Sequence, residues 1–188
     1  MEAPAYTAEE RRARETFHAL LHALSQPGQP QTLPAATDAH TALAHIGATL
    51  LDLETTYYTP DAPLAETLRA TGARHLDAAE AAYHFYPQWD DTAQAGIAAA
   101  PRGDMLYPER AATLVLAVPL EGGPAQQWDG PGIDGTLRTH LAAPEAFWLL
   151  REQAVFYPLG WDVVFVSANP AGAGQVLGLP RTTHVAFA

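Results

Sequence analysis

Phe156-Tyr157-Pro158-Leu159-Gly160-Trp161-Asp162 runs directly into Val163-Val164-Phe165-Val166, and the chain closes on Leu179-Pro180-Arg181-Thr182-Thr183-His184-Val185. The run 163–166 is β-branched and aromatic throughout, the composition of a strand covered on both faces. The closing stretch alternates, with Thr183, Val185 and Phe187 on one face and His184 and Ala186 on the other, as in a half-buried edge strand. Between them Asn169-Pro170-Ala171-Gly172-Ala173-Gly174 offers more turn residues than a two-residue hairpin uses, so a longer loop is expected. Asp162 precedes the first strand, and Arg181, Thr182, Thr183 and His184 enter the second. Such placement brings an acid, a guanidinium and an imidazole to the edges of one sheet, and makes this cluster the candidate site.

Upstream, helical and strand patterns alternate, which argues for an α/β fold. Thr7 and Glu10 have capping-box spacing, and Phe17, Leu20, Leu21 and Leu24 recur at helical intervals until Ser25-Gln26-Pro27-Gly28 stops the helix. The segment 29–36 reads as loop. A second helix is expected from Asp38 to Leu53, with Leu43, Ile46, Leu50 and Leu53 on one face. Thr55–Tyr58 reads as a strand, and Asp61 caps a short helix that ends at Gly72. Ala82–Tyr86 is a strand, Thr92–Ala100 a helix, Pro101–Glu109 a polar loop and Ala112–Val118 a central strand. Glu121-Gly122-Gly123 is expected to turn that strand back into a hairpin with Gln126-Gln127-Trp128. Pro144 opens an amphipathic helix through Phe147, Leu150 and Val155.

Two motifs point to chemistry and are set aside. Gly130-Pro131-Gly132-Ile133-Asp134-Gly135 matches the dinucleotide-binding G-x-G-x-x-G, but an alternating strand, Thr136–His140, follows it where a helix is needed to hold a pyrophosphate. It reads as a turn in a β-meander. His18 and His22 lie one helical turn apart, yet no third ligand is suggested nearby, so no metal site is expected.

With 188 residues the chain fits a single domain, 1–188. It contains no cysteine, which excludes disulfides, iron-sulfur clusters and thiolate zinc sites. All ten basic residues are arginines, so Schiff-base chemistry with pyridoxal phosphate has no lysine to use. No cofactor is expected. A net charge of −11 disfavours nucleic acid and anionic membranes as partners. With no long apolar run, the expected location is cytoplasmic.

Several stretches together resemble a known family. These are Phe17-His18-Ala19-Leu20-Leu21-His22-Ala23-Leu24-Ser25-Gln26-Pro27-Gly28, Ala112-Thr113-Leu114, Gly130-Pro131-Gly132-Ile133, Tyr157-Pro158-Leu159-Gly160-Trp161-Asp162 and Pro180-Arg181-Thr182-Thr183-His184-Val185. In order and spacing they are similar to PhnH, the H subunit of the carbon-phosphorus lyase core complex of phosphonate metabolism. The resemblance implies a three-layer α/β/α fold with a mixed sheet, like the large domain of PLP-dependent transferases but without PLP. It implies a homodimer that joins the G, I and J subunits in converting alkyl phosphonates to phosphate. It also makes Ser25, Pro27, Gly28, Gly130, Gly132, Pro158, Gly160 and Pro180 structural motif positions.

The composition bears on the role so implied. Without cysteine the chain is not the radical iron-sulfur subunit, and without lysine it cannot bond PLP. An accessory, non-catalytic subunit remains, with no catalytic residue assigned. Two readings of the terminal cluster stay open. In one, Arg181 pairs with Asp162 or another acid, Thr182 and Thr183 satisfy strand edges, and the cluster fixes the C-terminal strand and an interface. In the other, Arg181 grips a phosphonate or nucleotide oxygen while His184 moves a proton. The alternative class is a stand-alone phosphohydrolase or transferase with its site near Arg181 and His184. No recognisable nucleophile-and-base motif supports it. Trp89 is expected at a subunit contact.

Overall fold

The computed structural model describes residues 6–170 and 173–187, so Ala171 and Gly172 of the expected loop lie outside the described residues. Local signals set most elements. Thr7 and Glu10 form the capping box that opens α1 (Ala8–Ser25), the Thr7 hydroxyl accepting from the Glu10 amide at 3.1 Å and the Glu10 carboxylate from the Thr7 amide at 2.7 Å. Asp38, Asp61 and Asp90 cap α2 (Ala39–Leu50), α3 (Ala62–Leu68) and α4 (Asp91–Ala99) by accepting a backbone N–H from the first turn. The fifth helix, α5 (Glu145–Ala154), follows Pro144.

Seven strands make the main sheet: β1 (Gln31–Pro34), β2 (Thr56–Tyr58), β3 (Arg74–His75), β4 (Tyr83–Tyr86), β5 (Thr113–Ala117), β8 (Asp162–Ser167) and β9 (Ala173–Leu179), in the order β1-β9-β8-β5-β4-β2-β3. The pairs from β8 through β5, β4 and β2 to β3 are parallel, whereas β9 runs antiparallel to both β8 and β1. The fold is therefore mixed α/β with a mostly parallel sheet. Central strands alternate between two apolar layers. Leu114, Leu116, Val163 and Phe165 face α4 and α5, while Val115, Val164 and Val166 face α1, α2 and α3. A second sheet of β6 (Gln126–Asp129), β7 (Leu137–Thr139) and β10 (His184–Phe187), in the order β10-β6-β7, adds Trp128, Leu137 and Val185 to the α4/α5 layer.

Several expectations are corrected. Segment 29–36 is not loop: β1 pairs with β9 along the sheet edge, its composition masking an extended segment whose Leu33 is fully buried. The stretch between the two C-terminal strands holds β9, whose Gly174 and Gly178 interrupt the apolar pattern; a Cβ at Gly178 would lie 2.3 Å from the Ala23 carbonyl of α1. That close approach also explains which face α1 buries. Thr16, Ala19, Leu20 and Ala23 go inward, and Phe17 and Leu21 stay half exposed. Gln126–Trp128 does not form a hairpin with β5; it pairs with β7 and β10 in the second sheet, because β5 is already flanked by β4 and β8. Trp89 is half-buried and meets Phe147 edge-on at 6.4 Å. All four tryptophans thus join one apolar layer, filling the space between the main sheet, α5 and the second sheet. The N–H groups of Trp128, Trp148 and Trp161 are satisfied by the Gln126 side chain, the Ala143 carbonyl and the Ala100 carbonyl.

His84 is fully buried in β4. Its Nε2 lies 3.2 Å from the Ala81 carbonyl, which only accepts, so Nε2 carries the proton and Nδ1 accepts from the Tyr86 hydroxyl at 2.8 Å. Burial holds its pKa down at about 4, against the pull of the Ala81 hydrogen bond. An unfolded histidine titrates near about 6.5, so below that pH the unfolded state takes up a proton that the native state refuses. Stability is therefore expected to fall as pH drops from about 6.5 toward 4, by up to about 1.4 kcal/mol per unit from this residue. In urea titrations across that window, His84→Gln should lack this component. His45, also lowered by burial, acts in both proteins and cancels in the difference.

Candidate functional site

The closing motif folds as a turn in which the Thr183 N–H donates to the Pro180 carbonyl at 3.0 Å. The turn carries the chain from β9 in the main sheet to β10 in the second. Arg181 points back to the start of β8. Its Nη2 donates to Asp162 Oδ2 at 2.7 Å, its Nε lies 3.2 and 3.3 Å from the two carboxylate oxygens, and its backbone N–H donates to Oδ1 at 2.9 Å. Nη1 donates to the Pro108 carbonyl at 2.8 Å and makes a longer contact with that of Pro158 at 3.5 Å. The pair is largely sheltered, with 14% of the arginine side chain and 30% of the aspartate exposed.

His184 goes elsewhere. Its Nδ1 donates to Asp129 Oδ2 at 3.2 Å across the β10–β6 pair, where the two residues are register partners, and both side chains are exposed. Guanidinium and imidazole are thus committed to different carboxylates in different sheets, not brought to the edges of one. Thr182 is half-buried and Thr183 buried.

The other motif positions gather around the same turn. Gly130 packs against the Thr182 carbonyl. Gly132, at φ +87°, sits where a Cβ would be 2.4 Å from the Ser25 carbonyl, so only glycine fits both the backbone and the space. The Gly28 N–H donates to the Gly178 carbonyl at 3.3 Å, and Pro27 is buried beside Gly132. Pro158 follows a cis peptide bond, and the Gly160 N–H donates to the Arg102 carbonyl at 2.9 Å. Ends and middle of the chain are therefore fastened together where the two sheets meet.

One residue was not singled out in the sequence. Arg151 of α5 is 7% exposed, and its Nη2 donates to the carbonyls of Thr183 at 2.8 Å and Pro180 at 3.2 Å. Burial lowers its pKa to about 10, with Asp162 opposing the shift. The signal was present: Arg151 shares a helix face with Phe147, Trp148 and Ala154, where an arginine must be buried. Between α5 and the stretch Arg181–Phe187 lies a groove of about 1080 Å³, with Trp148, Leu149, Phe156, Tyr157 and Phe187 among its walls. Among the described residues no group of three or more His, Asp or Glu is placed to hold a metal, and His18 and His22 are exposed. No helix among them is long and apolar enough to cross a membrane.

The family description "Bacterial phosphonate metabolism protein (PhnH)" matches residues 4–186, nearly the whole chain. The chain belongs to the PhnH family. No curated protein matches it. Among solved structures it is similar to "The structure of MppP soaked with the product 2-ketoarginine", at 13% identity and a TM-score of 0.39, over 92% of this chain and 52% of that one. The chain spans about half the length of that protein, and a likeness this distant carries no argument. PhnH membership ties the molecule to phosphonate metabolism.

The Arg181–Asp162 and His184–Asp129 contacts of this PhnH chain should differ sharply in weight. Asp162→Asn leaves the Arg181 guanidinium without its charged partner in a sheltered site and should cost about 1–3 kcal/mol. His184→Ala removes an exposed contact and should stay within about 0.5 kcal/mol of wild type. Urea unfolding of both variants measures the contrast.

Proposed function

We propose that this chain is an accessory, non-catalytic subunit of the carbon-phosphorus lyase complex, a single cytoplasmic domain that forms a homodimer and assembles with the G, I and J subunits. The observation that carries the reading is where the closing motif spends its functional groups. Arg181 is bonded to Asp162 and to the carbonyls of Pro108 and Pro158, and His184 to Asp129, all within the chain. A ligand oxygen on Arg181 would have to displace one of these partners. The same bonds weigh against a stand-alone phosphohydrolase or transferase at this place.

Exposed apolar side chains support a life in an assembly. Met105, Leu106 and Tyr107 stand out on the loop before β5, and Phe17 and Leu21 on the outer face of α1. Surfaces of this kind are enriched in subunit contacts. We further propose that the main sheet is that of the large domain of PLP-dependent transferases, kept without the cofactor; a chain with no lysine has nothing to bond it covalently.

Light scattering after gel filtration tests the assembly. The purified chain should elute as a dimer, and with its G, I and J counterparts should enter a larger particle of defined mass. A monomer that elutes apart from all three would overturn the reading.

A further inference from the structure

Arg151 is a buried cation without a charged partner. Its 7% exposure is lower than that of Arg181, yet among the described residues no carboxylate lies within salt-bridge distance of it, and its protein acceptors are two neutral carbonyls. Asp162, the acid that acts on it through space, is already bonded to Arg181. A guanidinium so buried is costly unless an opposite charge or a full set of hydrogen bonds compensates it. Here the set is incomplete. Arg151 Nε and the Thr183 hydroxyl are both buried with no partner, and Thr183 is itself 2% exposed. Nη1 has no protein partner among the described residues and is not among the buried unpaired atoms, which leaves it open to the groove that Arg151 and Thr183 both line.

The walls define the rest of an occupant. Trp148, Leu149, Phe156, Tyr157 and Phe187 present apolar and aromatic surface, with the last four half or more exposed. Arg181 and His184 also border the groove, already bonded to Asp162 and Asp129. Glu145 and Glu152 sit on the same border and repel highly charged anions. A groove of about 1080 Å³ has the capacity of a small-molecule site.

We propose that this groove binds a small organic acid, whose single oxyanion head is held by the open Nη1 edge of Arg151 and whose apolar or aromatic body lies along Trp148, Phe156 and Phe187. Guanidinium N–H groups donate, as the oxygens of a phosphonate or carboxylate require. The inference stands apart from the assembly reading, since the isolated chain binds such an acid or does not, whatever its partners.

Isothermal titration of the full chain with phenylphosphonate, benzoate, benzyl alcohol and inorganic phosphate tests it. Either aromatic acid should bind at least about tenfold more tightly than the neutral alcohol or inorganic phosphate. Arg151→Met, which keeps volume and apolar contacts, should weaken acid binding by about tenfold or more while leaving benzyl alcohol unaffected. Circular dichroism checks that this variant folds. Arg151→Lys, which keeps the charge but not the planar fork, should weaken the acids severalfold and supplies the test if Arg151→Met does not fold. No binding of either acid up to about 10 mM, acid binding unchanged in the variants, or inorganic phosphate bound as tightly as phenylphosphonate would each overturn the proposal.

Discussion

The carboxylate of Asp162 does more to set this architecture than any other polar group. It sits at the first residue of β8, a central strand parallel to β5, antiparallel to β9 and buried on both faces, and it accepts from both the backbone and the guanidinium of Arg181. Arg181 lies in the short turn between β9 and β10, the chain's passage from one sheet to the other. Bonds from both the backbone and the side chain of one residue to one carboxylate fix both the path and the direction of that turn. The same guanidinium reaches Pro108 and Pro158, so the loop before β5 and the loop before β8 are held by the same hub.

Around that hub the packing follows. The turn delivers β10 to β6, whose Trp128 fills the layer between the second sheet and the face of β5 and β8 that carries Leu114 and Phe165. The second sheet and α5 thereby share one apolar layer, and their junction leaves the groove beside Arg151. Close backbone approaches complete the junction, with Gly132 against Ser25 and Gly130 against Thr182. These are contacts between the start, middle and end of the chain, so the motif stretches are explained by one meeting place.

Much of this was legible in the sequence where the cause is local. The cap at Asp61, the capping box at Thr7, the β-branched run 163–166 and the alternation from Thr183 to Phe187 each report backbone geometry directly, and the elements follow them. The pairing of Asp162 with Arg181 was one of the two readings open. What escaped depends on partners distant in the chain. Nothing near Gln31–Pro34 says that β9 will lie beside it, and the glycines that let α1 approach β9 also hide β9 as a strand. The hairpin expected after β5 failed because tight turn residues cannot say which sheet receives the next strand. Phe17 and Leu21 follow helical spacing yet lie outside the buried stripe, since the sheet selects the small face of α1. Arg151 was overlooked because its charge says surface while its position on the apolar face says core.

The Asp162–Arg181 bond holds the second sheet to the first. Amide hydrogen exchange resolved by segment, comparing wild type with Arg181→Lys, tests it most directly, because lysine keeps the charge but not the forked geometry. Faster exchange is expected in β6, β7 and β10, with β2 and β4 unchanged. Protection lost evenly across all strands, or unaltered in the second sheet, would contradict it.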